Sequence, residues 1–522
     1  MITVTYAAGI SLLALVYFVI WPVFHYFWDP KGLRRYPNMS LFSGISAIPF
    51  MLMARRGFRS QELQKLHQKH PVLRTGPNTL SYGDVRAIKD IYGHNTRCIK
   101  DPSYIITAGT HYHLADVVDR PDHSRKRKVL SSAYALKNLE SWEHKVSDKI
   151  ARLVKHFDTI CTAPLHTGQE PDPADLTVDF RAWTNFFALD AIADIGLSEK
   201  LGFLDQGSDL CVAERKDGTT YQTSLREALY PNARKQSYLV WNYGWYPIIN
   251  RLFNIIPFFA RMQVSADTWE DIVWHRAMLR RRRYEAGEKL DDFFSALMDD
   301  KAGKPHGLEW GEAVAEINIM MNAGSVTTAI AITNVMYQLI KNPTCLSKLR
   351  DEIDSIYDSD EEIIAAYDKV KHLPYLRACL DESLRIFPPT SHGLPRETPA
   401  EGVEILGKWV PGHTTVSMSA FVAHRDESAF PQADQYKPER WLGEEGKAIQ
   451  PYFVAFSAGA RSCIGRNISY LEQTVILATL VRRYEFALPD RSWELQREET
   501  MNLILGAMPV KVWRRETGEG DS

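Results

Sequence analysis

Phe456-Ser-Ala-Gly459-Ala-Arg461-Ser-Cys463-Ile-Gly465 is the stretch that decides how this chain is read. Directly after it, Arg466 to Tyr484 carries apolar residues at helical spacing, so the cysteine stands at the mouth of a helix. Unpaired N–H groups and the positive end of the helix dipole favour a thiolate there. Arg461 adds positive charge two residues from the sulfur, and Gly459 and Gly465 suit backbone geometry that a side chain would obstruct. A lone cysteine is more often a small buried hydrophobe, and Cys463 in isolation would be read that way.

The spacing changes that reading. A fixed thiolate of this kind is a suitable axial ligand for haem iron, where its electron push favours O–O cleavage. The full pattern F-x-x-G-x-R-x-C-x-G resembles the haem-binding signature of the cytochrome P450 family. The resemblance implies a mainly α fold with a small β portion, the cytochrome P450 fold, behind an N-terminal transmembrane helix. It also implies haem b, an iron protoporphyrin IX, with Cys463 as metal ligand and Phe456 and Arg461 at the cofactor.

Three more segments carry the same resemblance in the family's order. Glu382 and Arg385 lie three apart on one helix face, a spacing with little meaning alone. With Pro438-Glu439-Arg440-Trp441 downstream, they resemble the family's buried Glu-Arg-Arg network, a structural role for Glu382, Arg385 and Arg440 that demands full pairing. His123-Ser-Arg-Lys-Arg127 resembles the motif W-x-x-x-R, with His123 in the tryptophan position. His123 and Arg127 are thereby implied at a haem propionate, as is Arg396 in His392-Gly-Leu-Pro-Arg396. A solvated basic face is the plain alternative for Arg125 to Lys128, and it could help dock an acidic reductase.

A long helix is predicted from about Trp310 to Lys341, stopping before Pro343, and a second from Tyr375 to Ile386. The first contains Ala323-Gly324-Ser325-Val326-Thr327-Thr328, which resembles the pattern [AG]-G-x-[DE]-T-[TS]. Ala323 and Gly324 would let a flat ligand approach, or else serve a close helix crossing. Thr327 matches the catalytic threonine that supports oxygen activation. The acid is missing: Val326 occupies its place. Strand-like runs follow at Gly402 to Leu406 and Thr414 to Ser419, with a Pro411-Gly412 turn between them.

With 62 basic and 64 acidic residues, the chain gives no reason to invoke a nucleic acid. Six scattered cysteines without a CxxC pair argue against a disulfide framework or zinc site. Residues 1–30 read as a transmembrane anchor. Val4 to Trp28 is uncharged and long enough for a hydrocarbon core of about 30 Å, and Lys31, Arg34 and Arg35 follow on the cytosolic side. A signal peptide would be shorter and carry its basic residues at the other end. The sequon Asn38-Met39-Ser40 would face the cytosol and stay unmodified. Residues 31–522 then form one haem-thiolate catalytic domain at the endoplasmic reticulum membrane, facing the cytosol.

Two segments are expected at the substrate wall, Pro102 to Val118 and the aromatic run Tyr238 to Phe259, which includes Trp241, Tyr243, Trp245 and Tyr246. The second could also dip into the bilayer. Arg55-Arg-Gly57, Asp122 to Lys128, Gly393-Leu-Pro-Arg-Glu397 and Gly465-Arg-Asn467 resemble fungal benzoate para-monooxygenases. That implies a small aromatic or phenolic substrate and fungal secondary metabolism. The expected activity is monooxygenation with electrons from NADPH through NADPH-cytochrome P450 reductase, cytochrome b5 being a second possible donor. The alternatives are oxidative phenol coupling or ring closure without oxygen insertion, which Val326 motivates, and a non-catalytic haem-binding sensor.

Overall fold

In the computed structural model, the described residues are 11–516 apart from 14, 167, 240–243, 245 and 358–362. Trp241, Tyr243 and Trp245 therefore lie outside them. Seven helices position the site: α1 (Arg120–Ala133), α2 (Phe180–Leu197), α3 (Leu225–Leu239), α4 (Pro257–Glu285), α5 (Trp310–Lys341), α6 (Pro374–Ile386) and α7 (Arg466–Arg483).

Helix α5 is the axis of the molecule. It is largely apolar, and nearly all of Ser325 to Leu339 is buried, as expected of a core helix surrounded by neighbours. It packs against α2, α4, α6 and α7. Glycines from both partners sit at the crossing with α2. A methyl group on Gly324 would come within 2.8 Å of the Ile192 side chain, and one on Gly196 within 2.2 Å of Met320. The helical core grows outward from this crossing.

The β portion is a five-stranded sheet over a second apolar core. Its strands are β1 (Val72–Gly76), β2 (Thr79–Tyr82), β3 (Ile99–Lys100), β4 (Arg396–Glu397) and β5 (Thr415–Ser417), in the order β1-β2-β5-β4-β3. Only the β5–β2 pair is parallel. The two strand-like runs expected around Pro411-Gly412 do not pair with each other. Val403–Ile405 turns back on Lys408–Val410, while Thr415–Ser417 leaves to pair with β2 and β4. The positive φ of Leu406 and Gly407 makes the tight turn that separates them. A last hairpin, β6 (Arg497–Glu499) with β7 (Leu503–Leu505), returns the chain to the helical core.

At the other end, Ser11–Trp28 is helical and apolar, with none of it buried in the protein. Asp29 ends it in a left-handed turn, and its carboxylate accepts the Leu33 N–H at 2.8 Å.

Candidate functional site

The cysteine loop is closed by its own backbone, the Cys463 N–H donating to the Phe456 carbonyl at 2.9 Å. Gly459 sits at φ +67°, and a methyl there would lie 2.2 Å from the Tyr92 carbonyl oxygen. Gly465 differs from expectation: its φ is −82° and a methyl would meet nothing nearer than 3.7 Å. Sterics within the protein thus require glycine at 459 and not at 465.

Cys463 is deep in the fold, yet its sulfur opens onto a cavity of about 1150 Å³. Burial pushes the thiol up, against the Gly465 N–H, Arg127 and Arg466. Arg461 is not among these opposing groups. Its guanidinium donates to the carbonyls of Val117 and Val118 at 2.6 and 3.0 Å, tying the loop to the segment before α1. The protein alone therefore favours the thiol, and a bound metal ion would be what removes the proton.

One wall of the cavity is crowded with cations. Arg127 on α1 donates to the Ser462 carbonyl at 2.8 Å and Arg396 on β4 to that of Pro395 at 3.1 Å, while Lys100 on β3 donates to that of Ala115. Among the described residues, neither these three nor Arg461 has a carboxylate at ion-pair distance. His123, one turn before Arg127, feels the consequence. Burial first, then Arg461, Arg127, Lys100 and Arg396, hold its imidazole down to about 3. Such a wall fits a dianionic group such as the two propionates of a haem. Sequence reading missed Lys100 and expected Tyr104 at the substrate wall; the Tyr104 ring lies 4.0 Å from the Lys100 ammonium and its hydroxyl meets Arg396. The available signal was a lysine inside a strand of the core sheet, where a charge needs a reason. The neighbouring basic residues differ. Lys126 is buried against Glu312 at 2.9 Å, and Arg125 reaches the same carboxylate at 2.5 Å, so this stretch is not simply a solvated face.

Ala323, Gly324 and Thr327 of α5 also line the cavity. Thr327 donates to the Ala323 carbonyl at 2.8 Å, and Val326 is buried. Gly324 is shared between cavity and helix crossing, and its contact with Ile192 alone accounts for the missing side chain. From Pro102 to Val118, Tyr104, Ile106, His111 and Leu114 reach the cavity, as does Tyr246 of the second segment. Trp269, Asn318 and Asn322 also line it, as do Thr390 and Asn502 from the connections after α6 and between β6 and β7.

Beneath the cysteine loop lies a fully paired charge network. Glu382 accepts two hydrogen bonds from Arg385 at 2.8 and 2.9 Å, one from Arg440 at 3.0 Å and one from the Trp441 indole at 2.9 Å. Arg385 also donates to the His424 carbonyl at 2.8 Å. His424, which sequence reading did not single out, carries the link onward. Its Nδ1 donates to the Arg385 carbonyl at 3.0 Å, and its Nε2 accepts the Val454 N–H at 2.9 Å, at the start of the cysteine loop. Only a neutral imidazole does both. Burial, then Arg385, hold it down to about 3.

A sequence model described as Cytochrome P450 matches residues 48–513. Among curated proteins, the cytochrome P450 monooxygenase efuB of Hormonema carpetanum is 29% identical over 509 residues, 93% of this chain and 92% of that one. The cytochrome P450 monooxygenase atr2 of Stereocaulon alpinum is 30% identical, covering 92% and 89% of the two chains. The benzoate 4-monooxygenase bphA of Aspergillus niger is 28% identical, covering 98% of each.

Proposed function

This chain belongs to the cytochrome P450 family, as a monooxygenase, and from that premise we propose that it oxidises a small aromatic or phenolic molecule and that Cys463 would hold the iron of haem b. The observation that carries the site assignment is the cavity itself: a cysteine sulfur opens onto it beside four cations that, among the described residues, have no carboxylate at ion-pair distance. When bound, the haem supplies the redox-active iron on which dioxygen is activated.

The protein's part is to hold and enclose. Cys463 anchors the metal. Arg127, Arg396 and Arg461, with Lys100, Tyr104 and His123 near them, would hold the carboxylates of the haem, in a site where charge-assisted hydrogen bonds are strong. Phe456 packs 5.1 Å from the Tyr470 ring and stiffens the loop from behind. Thr327 lines the cavity, where its hydroxyl would support oxygen activation. Glu382, Arg385 and Arg440 keep the loop at one height. The similarity to a benzoate 4-monooxygenase supports the aromatic substrate class, as do the rings of Tyr104, Tyr246 and Trp269 on the cavity wall. Electrons come from NADPH through a reductase. We assign residues 1–30 as a single-pass anchor in the endoplasmic reticulum membrane and residues 31–522 as the cytosolic catalytic domain.

The deciding measurement is the difference spectrum of the reduced, carbon monoxide-treated protein. The wild type is expected to give the thiolate-type band and Cys463→Ala to lose it. A variant that kept the band would remove Cys463 as ligand. A second reading, phenol coupling or ring closure without oxygen insertion, is favoured by one feature, the buried apolar Val326 where the family carries an acid. Labelled dioxygen separates the two, with solvent exchange controlled: label in the product excludes coupling.

A further inference from the structure

Helix α5 carries a pair of side chains that the roles above leave unused. Asn318 and Asn322 stand four residues apart, so they are neighbours on one helix face, and both line the cavity. Asparagine is a poor choice for the interior of a helix, because its carboxamide competes for backbone hydrogen bonds. The residues of α5 that line the cavity around the pair, Val314, Ala315, Ile319 and Ala323, are apolar. Two carboxamides in such company call for partners.

Asn318 has one. The Trp269 indole on α4 donates to its Oδ1 at 2.9 Å. An indole N–H can only donate, so the orientation of the Asn318 amide is fixed and its Nδ2 group is left as a donor. Asn502, also on the wall, accepts from the Thr390 hydroxyl at 2.7 Å. Asn322, directly before Ala323-Gly324, differs from both. Among the described residues its carboxamide makes no hydrogen bond, the Ser325 hydroxyl meeting its backbone carbonyl at 3.4 Å and not its side chain.

The surrounding charge sets the class of partner. Arg127, Arg396, Arg461 and Lys100 sit on α1, β4, the cysteine loop and β3, the wall assigned to the haem carboxylates. Away from them, the described cavity residues bring the carboxyls of Glu270, Glu309, Glu316 and Glu472 and one further lysine, Lys216, which is exposed. Buried Lys126 is already shared by Glu312 and Glu316, at 2.9 and 3.6 Å. A free carboxylate set against the two carboxamides would lose its hydration without gaining a cation. An uncharged oxygen acceptor carries no such cost.

Resting on the monooxygenase reading, we propose that Asn322 is a specificity-determining residue whose carboxamide, with the Asn318 amide one turn away, donates to an uncharged oxygen acceptor on the aromatic substrate. The class this selects is an aryl carbonyl compound, a ketone, ester or lactone, in preference to a free acid.

The test uses the full-length enzyme with its haem and three probes of similar size: acetophenone, which carries the carbonyl, ethylbenzene, which lacks it, and benzoate, which is charged. Binding is read from the spin-state shift of the ferric haem in a spectral titration. Wild type should bind acetophenone more tightly than benzoate. In Asn322→Leu the affinity ratio of acetophenone to ethylbenzene should fall roughly three- to tenfold, the range of one hydrogen bond. Asn318→Asp keeps an acceptor for the Trp269 indole, loses the donor, and should lower the ratio in the same direction. The reduced-CO spectrum of each variant should match wild type, which separates failure of this proposal from failure of the haem reading. Asn322→Ala gives the same comparison should leucine disturb that spectrum. An unchanged ratio in the Asn322 variant, even if both affinities fall together, would show a merely steric role and overturn the proposal. Tighter binding of benzoate than of acetophenone by wild type, or no spectral response to any probe, would overturn it too.

Discussion

At the scale of single residues, the site depends on side chains whose protonation is set by burial. His424 links the Glu382 network to the cysteine loop only while neutral. Its folded-state value of about 3 is depressed from the ordinary 6.5, so between those values the unfolded chain binds more protons than the folded one. Stability from this residue is complete above pH 6.5 and is lost as pH falls towards 3, by about 1.4 kcal/mol per pH unit. Acid titration of the melting temperature should show this limb, and His424→Gln should flatten it while weakening the loop. Glu382→Ala leaves two buried guanidinium groups without their carboxylate and should cost about 3–5 kcal/mol, with loss of haem retention in purified protein. Gly459→Ala combines a left-handed backbone with a collision at the Tyr92 carbonyl and should cost more than about 2 kcal/mol; Gly465→Ala, without either strain, should destabilise the ligand-free protein far less.

Among the elements, the long helix α5 was the plainest to read, because its apolar run is long and ends at a proline. Its observed limits, Trp310–Lys341, are those expected, and α6 begins one residue earlier than expected, at Pro374. Short strands were harder. Gly402 to Leu406 and Thr414 to Ser419 are recognisable as strands from composition, but strand partners are chosen by contacts distant in sequence, and β5 joins Thr79–Tyr82 from far upstream. The two-fold reading of Ala323-Gly324 also needed the neighbouring helix. Gly324→Val should force α2 and α5 apart at Ile192 and lower stability by about 1–3 kcal/mol, measured by thermal unfolding; full retention of stability would show that the crossing relaxes freely.

At the scale of the whole molecule, apolar surface extends beyond the N-terminal helix. Leu41, Phe42, Ile48 and Leu52 are exposed in the segment after that helix, and Ile248, Leu252, Ile255 and Ile256 between α3 and α4 are exposed, as is Phe258 at the start of α4. The helices Ile48–Arg55 and Tyr246–Phe253 both pack against α3, so these side chains lie around one element. Patches of this kind mark surfaces that meet an apolar phase. Removal of residues 1–30 should therefore leave weaker but measurable co-sedimentation with phospholipid vesicles. Adding Leu252→Lys and Ile255→Lys should abolish it; unchanged sedimentation would place the residual contact elsewhere.

By itself the sequence determined the family, the helical class with a small β portion, and the residue types gathered around Cys463, because the cysteine loop and the Glu-Arg-Arg segments are local patterns whose spacing is written along the chain. It could not determine which way a side chain turns. Arg461 was expected beside the sulfur, and the folded chain shows that it also ties the loop to Val117 and Val118; Lys100 and His424 carry no motif that distinguishes them from ordinary core or surface residues. Their roles depend on burial and on partners distant in the chain, quantities that exist only once α5, α7 and the sheet have closed around one cavity.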